Sequence, residues 1–335
     1  MTSGLTERFL APIGWRTHSF INEKNGHKIH YGSVFPQRAE PPAAVIVCLG
    51  GLSEFAEKYF EVAHDMLDRG YAFWFIDWQY QGRSGRLPEF PQRRHSDGFD
   101  EDVSDLHKLI ADYIKPSSTH PDKGRIPLIM LGHSMGGNIG LKFLLKHPQY
   151  FDAAAFSAPL IGIYNFKWPL HLVATLISFI LHLVGKRYVF KGMDWNENMR
   201  KGDGTEIFSS DSKRDTLHKH WSITEPDLQV GSVTFGWVIK ALKSCAQLKN
   251  PKALSAIKIP VLIAVAGEDK IIDNDILRNV SGRLPHGRLL EIQGAHHEIL
   301  MERNEYRDLF LCAFDKMVEE NKIATPENLK NTKGN

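Results

Sequence analysis

A serine between two glycines, an acid at a strand end and a histidine near the end of the chain could together carry out nucleophilic acyl transfer. Ser134 stands in the run Gly132-His133-Ser134-Met135-Gly136. A serine hydroxyl attacks a carbonyl only when a histidine takes its proton, and an acid must hold that histidine in the productive tautomer. The spacing alone is weak evidence, since ordinary glycine and serine usage produces it about 0.1 times in a chain of this length. Its surroundings strengthen it. Residues 126–131 form an apolar, strand-like run directly before it, and a helical pattern begins directly after. A nucleophile elbow requires that strand–turn–helix order, because the serine must stand on a sharp turn at the carboxyl edge of a sheet. Gly132 and Gly136 let the backbone pass closely on either side, and the following helix start supplies an N–H and a favourable dipole.

The acid should follow the nucleophile in the chain, and the histidine should come last. Residues 261–266 make a strand that ends in Gly267-Glu268-Asp269, which puts Asp269 at a carboxyl strand end, where functional residues of open α/β sheets collect. Glu268 and Asp273 compete with it, although Asp273 reads as the cap or first turn of the next helix. The last strand, near 288–292, is followed by Gly294-Ala295-His296-His297-Glu298. Two adjacent histidines cannot both face Ser134, and the residues alone leave His296 and His297 open. Acyl transfer also needs two N–H donors for the oxyanion. Met135, directly after the nucleophile, should give one. The loop Gly50-Gly51-Leu52, after the apolar strand 45–49, should give the other, its two glycines permitting a tight turn.

These residues need a scaffold, and the chain offers one. Apolar runs at 43–49, 71–76, 126–131, 153–158, 260–266 and 288–292 alternate with longer helical patterns, which predicts a mostly parallel sheet covered on both faces. Ahead of them, 17–22 and 28–35 flank Asn25-Gly26 and predict an antiparallel hairpin. The helix after Ser134 should end at Lys146-His147, before Pro148, and an apolar stripe from Tyr306 to Met317 predicts a helix near the C-terminus. The alternation breaks between about 161 and 254, which holds helical patterns but no buried strand. We therefore expect a core from 1–160 and 255–320, a helical insertion at 161–254 forming a lid, and a polar tail at 321–335.

Composition narrows the function. The chain has 335 residues, 42% hydrophobic and 24% charged, which suits a globular protein and not a disordered one. A net charge of +2 argues against a nucleic-acid partner. The three cysteines, Cys48, Cys245 and Cys312, fit neither a disulfide framework nor a metal site, so a reducing cytoplasmic setting is expected. No signal peptide and no spanning helix is legible. In the most apolar run, 169–185, the polar residues His171, Thr175, Ser178 and His182 fall on one narrow helical stripe, and Lys186, Arg187 and Lys191 follow. That pattern predicts a lid helix over an acyl-chain channel, with peripheral contact at the inner membrane face.

Taken together, Gly50-Gly51-Leu52-Ser53-Glu54, the stretch from Asp77 through Gln81-Gly82-Arg83-Ser84-Gly85, the run around Ser134, Gly267-Glu268-Asp269 and Gly294-Ala295-His296-His297-Glu298-Ile299-Leu300 resemble the bacterial lysophospholipase and monoacylglycerol lipase branch of the α/β-hydrolases. The resemblance implies an α/β-hydrolase fold with an inserted helical lid. It implies Ser134 as nucleophile, Asp269 as acid, His297 rather than His296 as base, and the amides of Leu52 and Met135 as oxyanion hole. It also implies a monoacyl lipid ester as substrate, with no metal or cofactor. The chain departs from the family pattern at Leu49-Gly50-Gly51 and at Tyr80, where glycine is usual. A short-chain carboxylesterase, a prolyl-type aminopeptidase and a catalytically silent lipid- or protein-binding member of the fold are the alternatives.

Overall fold

Residues 4–38, 40–121, 124–165, 184–203 and 205–324 are described by a computed structural model. Each central apolar run becomes a strand buried along its whole length: β3 (Val45–Leu49), β4 (Ala72–Ile76), β5 (Leu128–His133), β6 (Ala153–Ser157) and β7 (Val261–Ala266). The hairpin strands β1 (Arg16–Ile21) and β2 (Lys28–Val34) and the last strand, β8 (Gly287–Ile292), complete the sheet. Among the described residues the order is β1-β2-β4-β3-β5-β6-β7-β8. Pairing is antiparallel from β1 to β4 and parallel from β4 to β8. The elements are those expected, with ends moved by one or two residues.

Continuous apolar sequence is explained by cover on both faces. The helices are α1 (Phe60–Asp68), α2 (Phe99–Leu109), α3 (Ser134–Lys146), α4 (Ser212–Thr224), α5 (Phe235–Leu248), α6 (Asn274–Ser281) and α7 (Asn304–Glu320), and all but α4, which packs on Phe55 and Phe60 in a smaller cluster, provide that cover. Alternate strand residues enter two separate cores. Val45, Val47, Met130 and Phe156 pack with α2, α3 and α5, whereas Ile46, Cys48, Ile129 and Ala155 pack with α1 and α7. Helices α4 and α5 lie in the chain between β6 and β7, within the stretch expected as an insertion. Among its described residues there are isolated bridges, such as Tyr188 to Thr234, but no strand. The apolar helix expected over 169–185 falls, up to residue 183, outside the described residues.

One expectation needs correction. The polar tail does not begin at 321, because Ile323 is 6% exposed, packs into the α1–α7 core and donates its N–H to the Val318 carbonyl at 3.0 Å. An isolated apolar residue after a helix is too short a signal to mark a docked turn. Residues 325–335 lie outside the described residues.

Helix α3 is pressed against the ends of β3 and β6 by its glycines. A Cβ at Gly136 would stand 2.1 Å from the Leu49 carbonyl oxygen and 2.6 Å from that of Gly50, both backbone atoms that cannot swing aside. Gly136→Ala should therefore lower stability by about 3 kcal/mol. A urea midpoint equal to the parent's would contradict this packing.

Candidate active site

Strain marks the carboxyl rim of the sheet. Ser53 after β3, Tyr80 after β4, Ser134 after β5 and Ala158 after β6 all have positive φ, at 61°, 65°, 49° and 43°. Residues with a Cβ adopt this region at a cost, and such outliers cluster at functional sites. At Ser134 the turn is held from outside, its carbonyl accepting the Leu160 N–H at 2.8 Å.

The structure brings Ser134, Asp269 and His297 together. His297 Nε2 lies 3.0 Å from Ser134 Oγ, and His297 Nδ1 lies 2.8 Å from Asp269 Oδ2. A carboxylate can only accept, so Nδ1 carries the proton and Nε2 is free to accept from the serine. Asp269 is oriented by its other oxygen, which accepts the N–H groups of Ile271 and Ile272 at 2.8 and 2.9 Å. Burial alone would raise its carboxyl, but His297 and these two amides hold it below the ordinary range. The competitors are elsewhere. His296 Nδ1 donates to the Glu206 carbonyl at 2.9 Å, Glu268 is exposed, and Asp273 caps α6 by accepting from Asp275 and Ile276.

Leu52 lies beside Ser134 in the wall of one cavity. Met135 is in the first turn of α3, where an N–H has no intrahelical acceptor. Gly50, Gly51 and Gly132 make room around these positions: a Cβ at Gly51 would meet Glu54 and His133, one at Gly50 would meet Phe75, and one at Gly132 would meet Phe156. His133 fills the space between the Gly51 loop and the His297 ring, whose centroid lies 4.8 Å from its own. Burial, and then the neighbouring His297, push His133 down to about 4, so it stays neutral.

Behind the cavity runs a buried ion network that sequence reasoning missed. Lys58 Nζ lies 2.7 Å from both Glu54 Oε1 and Glu298 Oε2. Arg200 reaches Glu298 at 3.0 Å and Asp215 at 3.1 Å. Glu298 directly follows His297, Glu54 closes the Gly50–Glu54 turn, and Arg200 and Asp215 belong to the stretch between β6 and β7, so one network ties three parts of the site. The only local signal was the four-residue spacing of Glu54 and Lys58, an acid and a cation in one short turn. Glu54, His133 and Glu298 are near enough to one another to ligate an ion, but the Lys58 ammonium already holds the place between the two carboxylates.

Burial would raise both carboxyls, yet Lys58 and His133 bring Glu54 to about 2, and Arg200 and Lys58 hold Glu298 well below the ordinary range. A depressed folded value stabilises the fold above the unfolded value of 4.5, and that stability is lost as pH falls through the folded value. The network's share of the urea midpoint should thus hold above about pH 5 and fall from there toward about 2, below the earlier loss that begins near 6.5 as the unfolded state protonates the depressed His133 and His218. In Lys58→Met, with the cation removed, the midpoint should start lower and fall less steeply. Equal acid slopes for parent and variant would contradict the network's role.

The cavity above Ser134 has a volume of about 240 Å³. Leu160, Trp195, Phe208, Val230 and Trp237 give it apolar walls, while Glu54, Arg200, His218 and Glu298 form a polar side. All five apolar residues and both Arg200 and His218 come from the stretch between β6 and β7. His218 lies opposite the Ser53 carbonyl, with Nε2 at 3.1 Å, so that nitrogen carries the proton and the unpartnered Nδ1 is an acceptor. Burial, with Arg200 and Lys58 adding to it, pushes His218 down to about 3.

Comparison with known proteins agrees with this architecture. The family described as serine aminopeptidase, S33, matches residues 40–304. A lysophospholipase L2 of Escherichia coli (strain K12) is 29% identical over 291 residues, covering 80% of this chain and 78% of that protein. A monoacylglycerol lipase of Mycolicibacterium smegmatis is 24% identical over 287 residues, covering 85% and 91%. The crystal structure of a soluble variant of monoglyceride lipase from Saccharomyces cerevisiae, bound to a substrate analogue, superposes with a TM-score of 0.67 at 18% identity, covering 92% of this chain and 95% of that one. With the parallel sheet, the strained serine after β5 and a family match over most of its length, the chain belongs to the S33 family of α/β-hydrolases.

Proposed function

We propose that this chain hydrolyses the acyl ester of a monoacyl lipid, a lysophospholipid or a monoacylglycerol, through an acyl-enzyme. Its similarity to a lysophospholipase and a monoacylglycerol lipase supports a carboxylic ester hydrolase. The observation that carries the finer reading is that Ser134 and His297 open onto a cavity with a mainly apolar wall and one polar side. An acyl chain would lie against the first, and the leaving alcohol would meet the second. His218 Nδ1, buried and without a partner, is an acceptor that a hydroxyl of that alcohol would satisfy.

In the reaction, His297 Nε2 takes the Ser134 proton as Oγ attacks the ester carbonyl. The amides of Leu52 and Met135 hold the oxyanion, and the alcohol leaves with the proton from His297. Water then repeats these steps on the acyl-enzyme and releases the fatty acid. An aminopeptidase would need a free carboxylate for the substrate ammonium. The cavity's Glu54 and Glu298 are instead engaged by Lys58 and Arg200.

The test is fatty-acid release from a panel of lysophospholipids, monoacylglycerols, short esters and aminoacyl amides. The monoacyl lipids should be turned over fastest, and faster turnover of short esters or amides would overturn the assignment. Labelling by a fluorophosphonate separates an enzyme from a silent fold member, which would not react.

No helix among the described residues is long and apolar enough to cross a membrane. We propose that the inserted stretch, acting as a lid, touches lipid peripherally. Phe190 is 85% and Met193 53% exposed beside Lys191, Lys186 and Arg187, a combination suited to an anionic lipid surface. Flotation with anionic vesicles should carry the protein upward, and its absence would refute the contact.

A further inference from the structure

We propose that Gln81, backed by Arg94, is the positioning residue that aims the Leu52 N–H at the developing oxyanion, an inference that rests on the acyl-transfer reading above. The Leu52 N–H belongs to the Gly51–Leu52 peptide unit. That unit is planar and trans, so its carbonyl and its N–H point in opposite directions. Whatever holds the Gly51 carbonyl therefore decides where the Leu52 N–H is directed.

Gln81 holds it. Its Nε2 donates to the Gly51 carbonyl at 2.9 Å and to the Glu54 carbonyl at 2.8 Å. Its Oε1 accepts the Ser53 N–H at 3.0 Å and Arg94 Nε at 2.7 Å. A primary amide has two donors and two acceptor lone pairs, and all four are in use here. Three of the four bonds go to the turn that carries Leu52, on both sides of it. This turn needs holding, since it contains a glycine, which rotates freely, and Ser53 at φ 61°. At 1% exposure, Gln81 makes these bonds with little competition from water.

Arg94 joins both halves of the oxyanion site. The guanidinium, itself 1% exposed, bonds Gln81 through Nε, and another of its nitrogens lies 3.3 Å from Met135 Sδ. Its backbone is tied to the inserted stretch, donating to the Ser232 carbonyl at 3.2 Å and accepting the Thr234 N–H at 3.0 Å. The register of that stretch and the aim of the Leu52 amide are thus mechanically continuous. Neither Gln81 nor Arg94 lines the cavity above Ser134.

The test compares Gln81→Glu, which keeps both acceptors and loses both donors, with Gln81→Met, which loses all four bonds. A carboxylate at 81 faces two carbonyl oxygens, so the Gly51–Leu52 peptide should rotate while the pairing with Arg94 keeps the fold. Four readouts are taken. These are kcat and KM on a monoacyl ester, the affinity for a trifluoromethyl ketone of the same chain, the affinity for the non-hydrolysable ether, and a crystal structure of Gln81→Glu. The ketone accepts Ser134 Oγ at its carbonyl carbon, the serine proton passes to His297, and the carbonyl oxygen becomes an oxyanion. It therefore reads the oxyanion site, and the ether reads only the pocket.

We expect kcat and ketone affinity to fall together by about 100-fold in both variants, with KM and ether affinity within about threefold of the parent. A folded Gln81→Glu with parental kcat and ketone affinity overturns the inference, as does a parallel loss of ether binding. If the parent itself were inert toward esters, the acyl-transfer reading would fall alone. The crystal structure would still decide the role of Gln81, a rotated peptide supporting it and an unmoved one overturning it.

Discussion

Ser134→Ala should lower kcat/KM by about 10⁴- to 10⁶-fold while leaving the melting temperature at the parental value. Alanine keeps the Cβ, so the strain at φ 49° is unchanged, and among the described residues the side-chain hydrogen bond removed is the 3.0 Å one to His297 Nε2. The oxyanion donors and the cavity survive, so some rate above that of water should remain. Covalent labelling by a fluorophosphonate should disappear. Hydrolysis within tenfold of the parent would mean that another group attacks the ester.

Asp269→Asn should cost about 10⁴-fold in kcat with little change in KM, and the cause is a tautomer. Asp269 Oδ1 accepts two backbone N–H groups, from Ile271 and Ile272. An asparagine at this position must turn its carbonyl oxygen to the same two donors, because its NH₂ has nothing to offer them. The NH₂ then faces His297 Nδ1, which must become the acceptor. The proton moves to Nε2, and the base can no longer take one from Ser134. A structure of the variant should show an almost unmoved side chain, and nitrogen-15 spectra of His297 should report the inverted tautomer. Near-parental kcat in a variant with that tautomer would remove the proton-acceptor role of His297.

What was readable in the chain follows from how local each cause is. Strands β3 to β7 were legible because cover on both faces makes every position apolar, so the sequence run and the strand nearly coincide. Ser134 and Asp269 were legible because each stands just past such a run, and the His296-His297 pair because it follows the last strand, β8, which is mostly exposed at the sheet edge. The cap at Asp273 was legible for the same reason, its hydrogen bonds reaching only two and three residues ahead. Choosing between His296 and His297 required more than local pattern, since the Glu206 carbonyl that turns His296 away is 90 residues distant. Lys58 meeting Glu298, and Arg200 reaching both Glu298 and Asp215, depend on contacts that no periodicity announces. Gln81 lay inside a legible stretch and Arg94 in none, and their partners become neighbours only when the turns after β3, β4 and β5 converge.

The left-handed residues along the carboxyl rim also bear on how this protein could be improved. Glycine or asparagine at Tyr80 or Ala158 would relax a backbone that side chains with a Cβ hold at a cost of about 1 kcal/mol or more each. Selection for heat resistance would be drawn to such positions, where stability is easiest to gain. Yet Tyr80 spends its strain on a 2.6 Å bond from its hydroxyl to Asp97, within the same loop system that supports Gln81. Variants enriched for thermal tolerance at this rim should therefore show a trade-off between durability and turnover, concentrated in one ring of loops and absent from the two cores beneath it.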